Sequence, residues 1–141
     1  MSIQFPIEGI LKSLKSEEGY SANCYLCSEG AHTVGYGRNI SEGGIGISEE
    51  EAAYLLRNDV NRTIDEVRQR WPWVDEINKA AREVLVELCF QMGATRLSGF
   101  KKCLAALERG DMATAAFELL DSRFADQVPA RANRLAARLR G

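Results

Sequence analysis

Apolar residues recur at intervals of three and four along most of the chain, and the one stretch that lacks this rhythm is rich in glycine. Ile7, Ile10, Leu11 and Leu14 follow Pro6 and predict a short amphipathic helix, since proline is tolerated in a first turn where its missing N–H would have had no partner. The pattern ends near Glu17-Glu18-Gly19. Across residues 20–47 the texture changes to aromatic and β-branched residues punctuated by Gly30, Gly35, Gly37, Gly43, Gly44 and Gly46. That stretch predicts two or three short strands joined by tight turns.

Ser48 followed by Glu49-Glu50-Glu51 is a capping box, with three carboxylates at the positive end of the coming helix. Ala52, Leu56, Val60, Ile64 and Val67 then mark one apolar face for about five turns, until Trp71-Pro72-Trp73 interrupts it. Ile77, Ala81, Val84, Leu85, Leu88 and Met92 predict a second strong helix that closes at Gly93. A further helix is expected over residues 98–108, ending at Gly110, and Asp111 caps another through Ala115, Ala116, Leu119 and Leu120. Pro129 starts a last helix running to Arg140. The order is helix, small sheet, then about five helices, an α+β protein with its strands segregated near the N-terminus.

Composition narrows the classes. At 141 residues, 45% apolar and 27% charged, the chain is an ordinary globular one and long enough to bury a core without disulfides or a structural metal. No stretch approaches the roughly 20 apolar residues of a membrane span, and residues 1–6 have neither a basic nor an apolar leader region, so synthesis in the cytoplasm without a signal peptide is expected. The net charge of −2 hides an asymmetry, because residues 122–141 sum to +4. A solvated arginine-rich helix is the simpler reading of that end, and nucleic acid is not an expected partner.

Four cysteines without an export signal read as reduced thiols. Cys24 and Cys27 spell CxxC, but zinc would want a second pair at similar spacing, whereas Cys89 and Cys103 stand 14 apart with only His32 in reserve. A redox CxxC opens a helix, and this one runs into Ser28-Glu29-Gly30, which reads as a turn. No metal and no organic cofactor is expected.

Composition and periodicity name no reaction. The stretch from Glu18-Gly19 through Cys27 to Thr33-Val34-Gly35-Tyr36-Gly37 does, because it resembles the catalytic signature of phage-type lysozymes, the endolysin muramidases of glycoside hydrolase family 24. In that family a Glu-Gly pair ends the first helix, an Asp or sometimes a Cys follows nine positions later, and a Thr six after that; Cys27 and Thr33 stand at those positions here. Ser48-Glu49-Glu50-Glu51-Ala52 through Leu56-Arg57-Asn58-Asp59-Val60 looks like the family's inter-lobe helix, and Phe90-Gln91-Met92-Gly93 is similar to another of its segments. Ser122-Arg123-Phe124 with Pro129-Ala130-Arg131 is similar to its C-terminal signature. The resemblance implies a lysozyme-like two-lobed fold in a single domain. It sets a sheet lobe over about residues 15–47, an inter-lobe helix over about 48–70, and a helical lobe over about 74–141 together with the first helix.

Hydrolysis of a glycosidic bond needs an acid for the leaving oxygen and a group that organises attack on the sugar. The resemblance implies Glu18 as that acid, at a helix end whose dipole disfavours a carboxylate. It implies Cys27 and Thr33 as the groups that steer the attacking water. The departure is Cys27 where many relatives carry Asp, and a small buried filler is the alternative for this thiol; Cys24 reads as such a filler. Thr33 is either a water-positioning group or a strand residue chosen for β propensity. Arg131 is either the partner that orients Glu18 or one more exposed arginine. Arg38 and Asp59 would form an ion pair tying the sheet lobe to the inter-lobe helix, and Phe90, Gln91 and Asn39 are the candidate substrate contacts, with plain core as the alternative for Phe90. His32 reads as an exposed strand residue with no catalytic part.

The implied activity is cleavage of the β-1,4 bond between N-acetylmuramic acid and N-acetylglucosamine in bacterial peptidoglycan, by a monomer released through a holin-type lesion and without stable membrane insertion. Relatives largely invert the anomeric centre, which needs roughly 6.5–9.5 Å between the two groups, against about 5–5.5 Å for retention. Two alternatives stay open: a protein that binds peptidoglycan on the same fold without cutting it, and a thiol-regulated or metal-binding domain using Cys24 and Cys27.

Overall fold

The computed structural model describes residues 5–141; residues 1–4, part of the N-terminal stretch read above, lie outside the described residues. The chain divides into two compact units, Met1–Ala53 and Tyr54–Gly141.

The first unit opens with α1 (Ile7–Glu18), which ends where the sequence predicts. Gly19 takes φ +67°, and its N–H donates to Lys15 O at 3.0 Å, turning the chain out of the helix. Three antiparallel strands follow in the order β1 (Ser21–Leu26), β2 (His32–Gly35), β3 (Arg38–Asn39). The register pairs Tyr25 with Thr33 and Thr33 with Asn39, so Thr33 is central, and an irregularity interrupts β1 between Ser21 and Tyr25. Helix α1 and the three strands lie in the first unit.

Both hairpins use three-residue connections. Cys27 N–H donates to Ala31 O at 2.9 Å and Gly30 N–H to Cys27 O at 2.8 Å, leaving Ser28-Glu29-Gly30 as the loop with Gly30 at φ +79°. Between the paired Val34 and Arg38 stands Gly35-Tyr36-Gly37, again with glycine, at φ +77°, before strand pairing resumes. A turn closed by a left-handed residue matches the right-handed twist of the flanking strands, and only glycine adopts it without strain.

Helix α2 (Glu49–Arg70) starts on the predicted capping box. Glu51 N–H donates to Ser48 Oγ at 3.0 Å, and Ser48 N–H donates back to Glu51 Oε1 at 2.9 Å. The apolar stripe predicted along α2 is buried only toward its C-terminal end, where Val67 is fully enclosed while Leu56 is exposed.

In the second unit a single-turn 3-10 helix (Pro72–Glu76) leads to α3 (Lys79–Met92), α4 (Ala94–Leu97), α5 (Lys101–Glu108), α6 (Met112–Leu120), α7 (Arg123–Gln127) and α8 (Pro129–Arg140). Asn78 caps α3 by accepting from Ala81 N–H at 2.8 Å, and Asp111 caps α6 by accepting from Thr114 N–H at 3.1 Å. Seven α-helices therefore follow the sheet where about five are expected. The additional ones, α4 and α7, are four and five residues long, too short to show a periodic stripe. The expected helix over 98–108 also starts later, at Lys101, because Ser98 ends α4 instead.

The buried apolar core belongs to this unit: Val67, Val84, Leu85, Leu88, Leu97, Leu107, Leu119 and Phe124 are its largest fully enclosed side chains. Cys89 and Cys103 fill core positions, as expected for reduced thiols. Burial pushes the Cys103 thiol up to about 11 and raises that of Cys89. The arginine-rich end is partly neutralised, since Arg138 donates to Glu83 at 2.6 Å and also to Glu87.

Candidate active site

The first unit brings three of the predicted residues onto one short sheet. Strand side chains alternate in direction, so Thr33, its cross-strand neighbour Asn39, and Cys27, two residues beyond Tyr25, share a face. Cys24 is three residues from Cys27 and so faces the other side. There its sulfur approaches His32 Nδ1 at 3.7 Å. Both residues are exposed, which agrees with the reading of His32 but corrects that of Cys24: an exposed thiol fills no core.

Thr33 is the one buried polar residue among those described, at 3% exposure. Its hydroxyl donates to Ala31 O at 2.9 Å, and it also bears on the sulfur of Cys27. The half-buried Cys27 sits at the entrance of the 28–30 turn. The backbone N–H groups of Ala31 and Glu29, and then the Thr33 hydroxyl, hold its thiol below the ordinary range against desolvation and the charge of Glu29. Donors aimed at a sulfur favour its thiolate. Cys27 is half-buried, unlike the enclosed Cys89 and Cys103.

Glu18 is the last residue of α1, and its carboxyl lies against the hairpin connection between β2 and β3. A Cβ placed on Gly37 would come within 2.7 Å of Glu18 Oε2. Asn39 uses its amide oxygen to accept from Ser41 N–H at 3.0 Å, an Asx turn that organises the following loop, so what it can offer a ligand is its NH2.

The predicted ion pair between Arg38 and Asp59 is not formed. Arg38 instead makes a bidentate pair with Glu51, at 3.0 and 2.7 Å, and donates to Gly46 O at 2.9 Å, while Asp59 is taken by Arg62 on its own helix. The reason is local: Glu51, at the third position of α2, is already turned back toward Ser48 by the capping box, and a planar guanidinium matches its two oxygens. The Arg38 guanidinium, with Ser48 N–H second, holds the Glu51 carboxyl down at about 2. The sequence signal for Glu51 was its capping position, which hid this second role.

In the second unit, Phe90 and Gln91 lie at the end of α3, both exposed. At 44% exposure Phe90 is not a core residue, which removes the plain alternative for it. Arg131 is half-buried in α8, beside Glu87, Arg134 and Arg138 in a recess of about 320 Å³. Among the described residues no group of three or more His, Cys, Asp or Glu side chains is placed to hold a metal ion.

The comparison with known families decides the fold's kinship. The Phage lysozyme family model matches residues 15–138. The chain belongs to the phage lysozyme family. Two relatives from Dictyostelium discoideum are similar along nearly their whole length: "Probable T4-type lysozyme 2", 28% identical, and "Probable T4-type lysozyme 1", 26% identical, each with 92% of both chains covered. The helix, three-strand sheet and helical second unit are the α+β arrangement that the resemblance implied. The family supports a muramidase-like role; the parts played by individual residues rest on the geometry above.

Proposed function

We propose that this lysozyme-family chain hydrolyses the β-1,4 bond between N-acetylmuramic acid and N-acetylglucosamine in bacterial peptidoglycan. The observation that carries the reading is the Cys27 site. Cys27 and the buried Thr33 share one face of the small sheet, in the same unit as a glutamate whose carboxyl lies against Gly37 at the β2–β3 connection.

In the proposed reaction the protonated Glu18 carboxyl gives its proton to the glycosidic oxygen as the bond to the anomeric carbon breaks. A water held by Thr33 and Cys27 attacks that carbon, and its proton passes to the Cys27 thiolate. Glu18 ends as carboxylate and Cys27 as thiol; exchange with solvent restores both. Cys27 stands where many relatives carry a carboxylate, and the backbone N–H groups of Ala31 and Glu29 lower its thiol toward the charged form that a base needs. The Asn39 amide is a proposed glycan contact of the first unit, and the exposed Phe90 and Gln91 are proposed glycan contacts of the second. In the lysis setting a holin-type lesion opens the route to the wall, and the enzyme works as a monomer.

The test is a substitution series at position 27. Cys27→Ala should lose activity by about 10²-fold or more, the scale of a lost general base, and Cys27→Asp should recover most of it. Alkylation of the wild type at Cys27 should block it equally. Full activity of Cys27→Ala would overturn the role of the thiol, and a wild type that binds peptidoglycan without releasing reducing ends would make this a binding protein on the same fold.

A further inference from the structure

We infer that the Tyr36-Gly37 connection between β2 and β3 is a positioning device for Glu18, Gly37 seating the carboxyl and Tyr36 holding the connection against α1. The inference rests on the proposed role of Glu18 as general acid. It goes beyond that role by naming what aims the acid.

Two independent contacts carry it. A Cβ on Gly37 would lie 2.7 Å from Glu18 Oε2, 3.0 Å from Cδ and 3.3 Å from Cγ, so the carboxyl occupies the space a side chain at 37 would take. A glutamate has several rotatable bonds, and a backbone wall against its tip removes many of the directions in which the tip could point. Tyr36 supplies the second contact. Its ring centroid lies 5.7 Å from that of Tyr20 at an interplanar angle of 51°, and Lys15 Nζ stands 5.6 Å from the Tyr36 centroid. Both distances fall in the attractive range for tilted aromatic pairs and for a cation over a ring. Lys15 and Tyr20 lie on either side of Glu18 in the sequence, so the connection is gripped at two points that bracket the acid.

Gly35 provides a matched control within the same three residues. It also has a positive φ, +69°, but a Cβ built there meets nothing within 4 Å. Alanine at 35 or at 37 thus meets a positive φ in either case, and both variants carry backbone strain. Only the alanine at 37 displaces the carboxyl, and a carboxyl at the free end of a flexible side chain can move while the fold stays intact.

The experiment compares steady-state release of reducing ends from purified peptidoglycan by wild type, Gly37→Ala, Gly35→Ala and Glu18→Gln, with near-ultraviolet circular dichroism to confirm folding. Gly37→Ala should lower kcat about 10²-fold below Gly35→Ala, the cost of misplacing a reacting group by about 1 Å, with KM within about twofold. A purely structural glycine would lower the thermal midpoints of both variants alike and leave kcat of the folded enzyme unchanged in both; equal kcat values would overturn the inference. If Gly37→Ala does not fold, Tyr36→Leu decides, since it leaves the backbone unstrained. A fall in kcat of about 10-fold at unchanged KM supports the device, and wild-type kcat overturns it. Full activity of Glu18→Gln would instead sink the general-acid reading, which separates the two failures.

Discussion

Replacing Thr33 by valine separates the structural from the catalytic part of that residue. Valine has nearly the shape of threonine and keeps the buried methyl, so the change removes one hydroxyl from a site at 3% exposure. The lost bond is the 2.9 Å donation to Ala31 O, and that carbonyl keeps its bond from Cys27 N–H at 2.9 Å, so no buried acceptor is left without a partner. The cost should therefore be that of one neutral hydrogen bond, about 1 kcal/mol, and not the larger penalty of an orphaned group. For a chain of this length that is a fall in Tm of about 3–4 °C, measurable by circular dichroism and harmless to folding at 25 °C. If the hydroxyl steers the attacking water, kcat should fall by about 10²-fold or more in the same variant. Thr33→Ser, which keeps the hydroxyl and loses a methyl, should reverse the pattern, losing about 1 kcal/mol or more of stability with kcat largely kept. A Thr33→Val enzyme with a third or more of wild-type kcat would refute the reasoning and leave Thr33 as a structural hydroxyl.

Two further outcomes follow from charge. The Glu51 carboxyl is held at about 2, against an ordinary 4.5, first by Arg38 and then by Ser48 N–H, so the stability it contributes is complete above about pH 4.5 and is lost as pH falls through about 2. Glu51→Gln should thus lower Tm at pH 6, with most of that difference gone by about pH 2; a difference at pH 2 as large as at pH 6 would show that the ion pair is not its source. Backbone donors lower the Cys27 thiol while burial raises Cys103 to about 11, so mass-resolved iodoacetamide labelling of the folded protein should modify Cys27 at a pH where Cys103 is inert. Equal labelling of the two would contradict the lowered thiol.

What could be read from the sequence was whatever is written locally. Ser48 and Glu51, Asp111 and Gly19 fixed helix ends because capping needs only neighbours a few residues apart. Thr33 and Cys27 share a face because two short hairpins with glycine in their connections set the register. Other features depend on contacts across many residues. Arg38 is 13 residues from Glu51, and no periodicity says which of several acids its guanidinium will meet. The approach of Gly37 to Glu18 and the grip of Tyr36 on Tyr20 exist only once the second hairpin folds back on α1. The lowered Cys27 thiol needs the directions of two N–H groups, which a residue pattern does not encode. Helices α4 and α7 were missed because four or five residues make too few turns to show a face.

The central claim, that this chain cleaves peptidoglycan with Glu18 as the acid, is tested most directly by one assay: release of reducing muramic acid ends from purified peptidoglycan by wild type and Glu18→Gln side by side. The account predicts release by the wild type and loss of at least about 10²-fold in the variant, whose fold should be unchanged. Equal release by both enzymes, or none by a folded wild type that still binds the polymer, would contradict it.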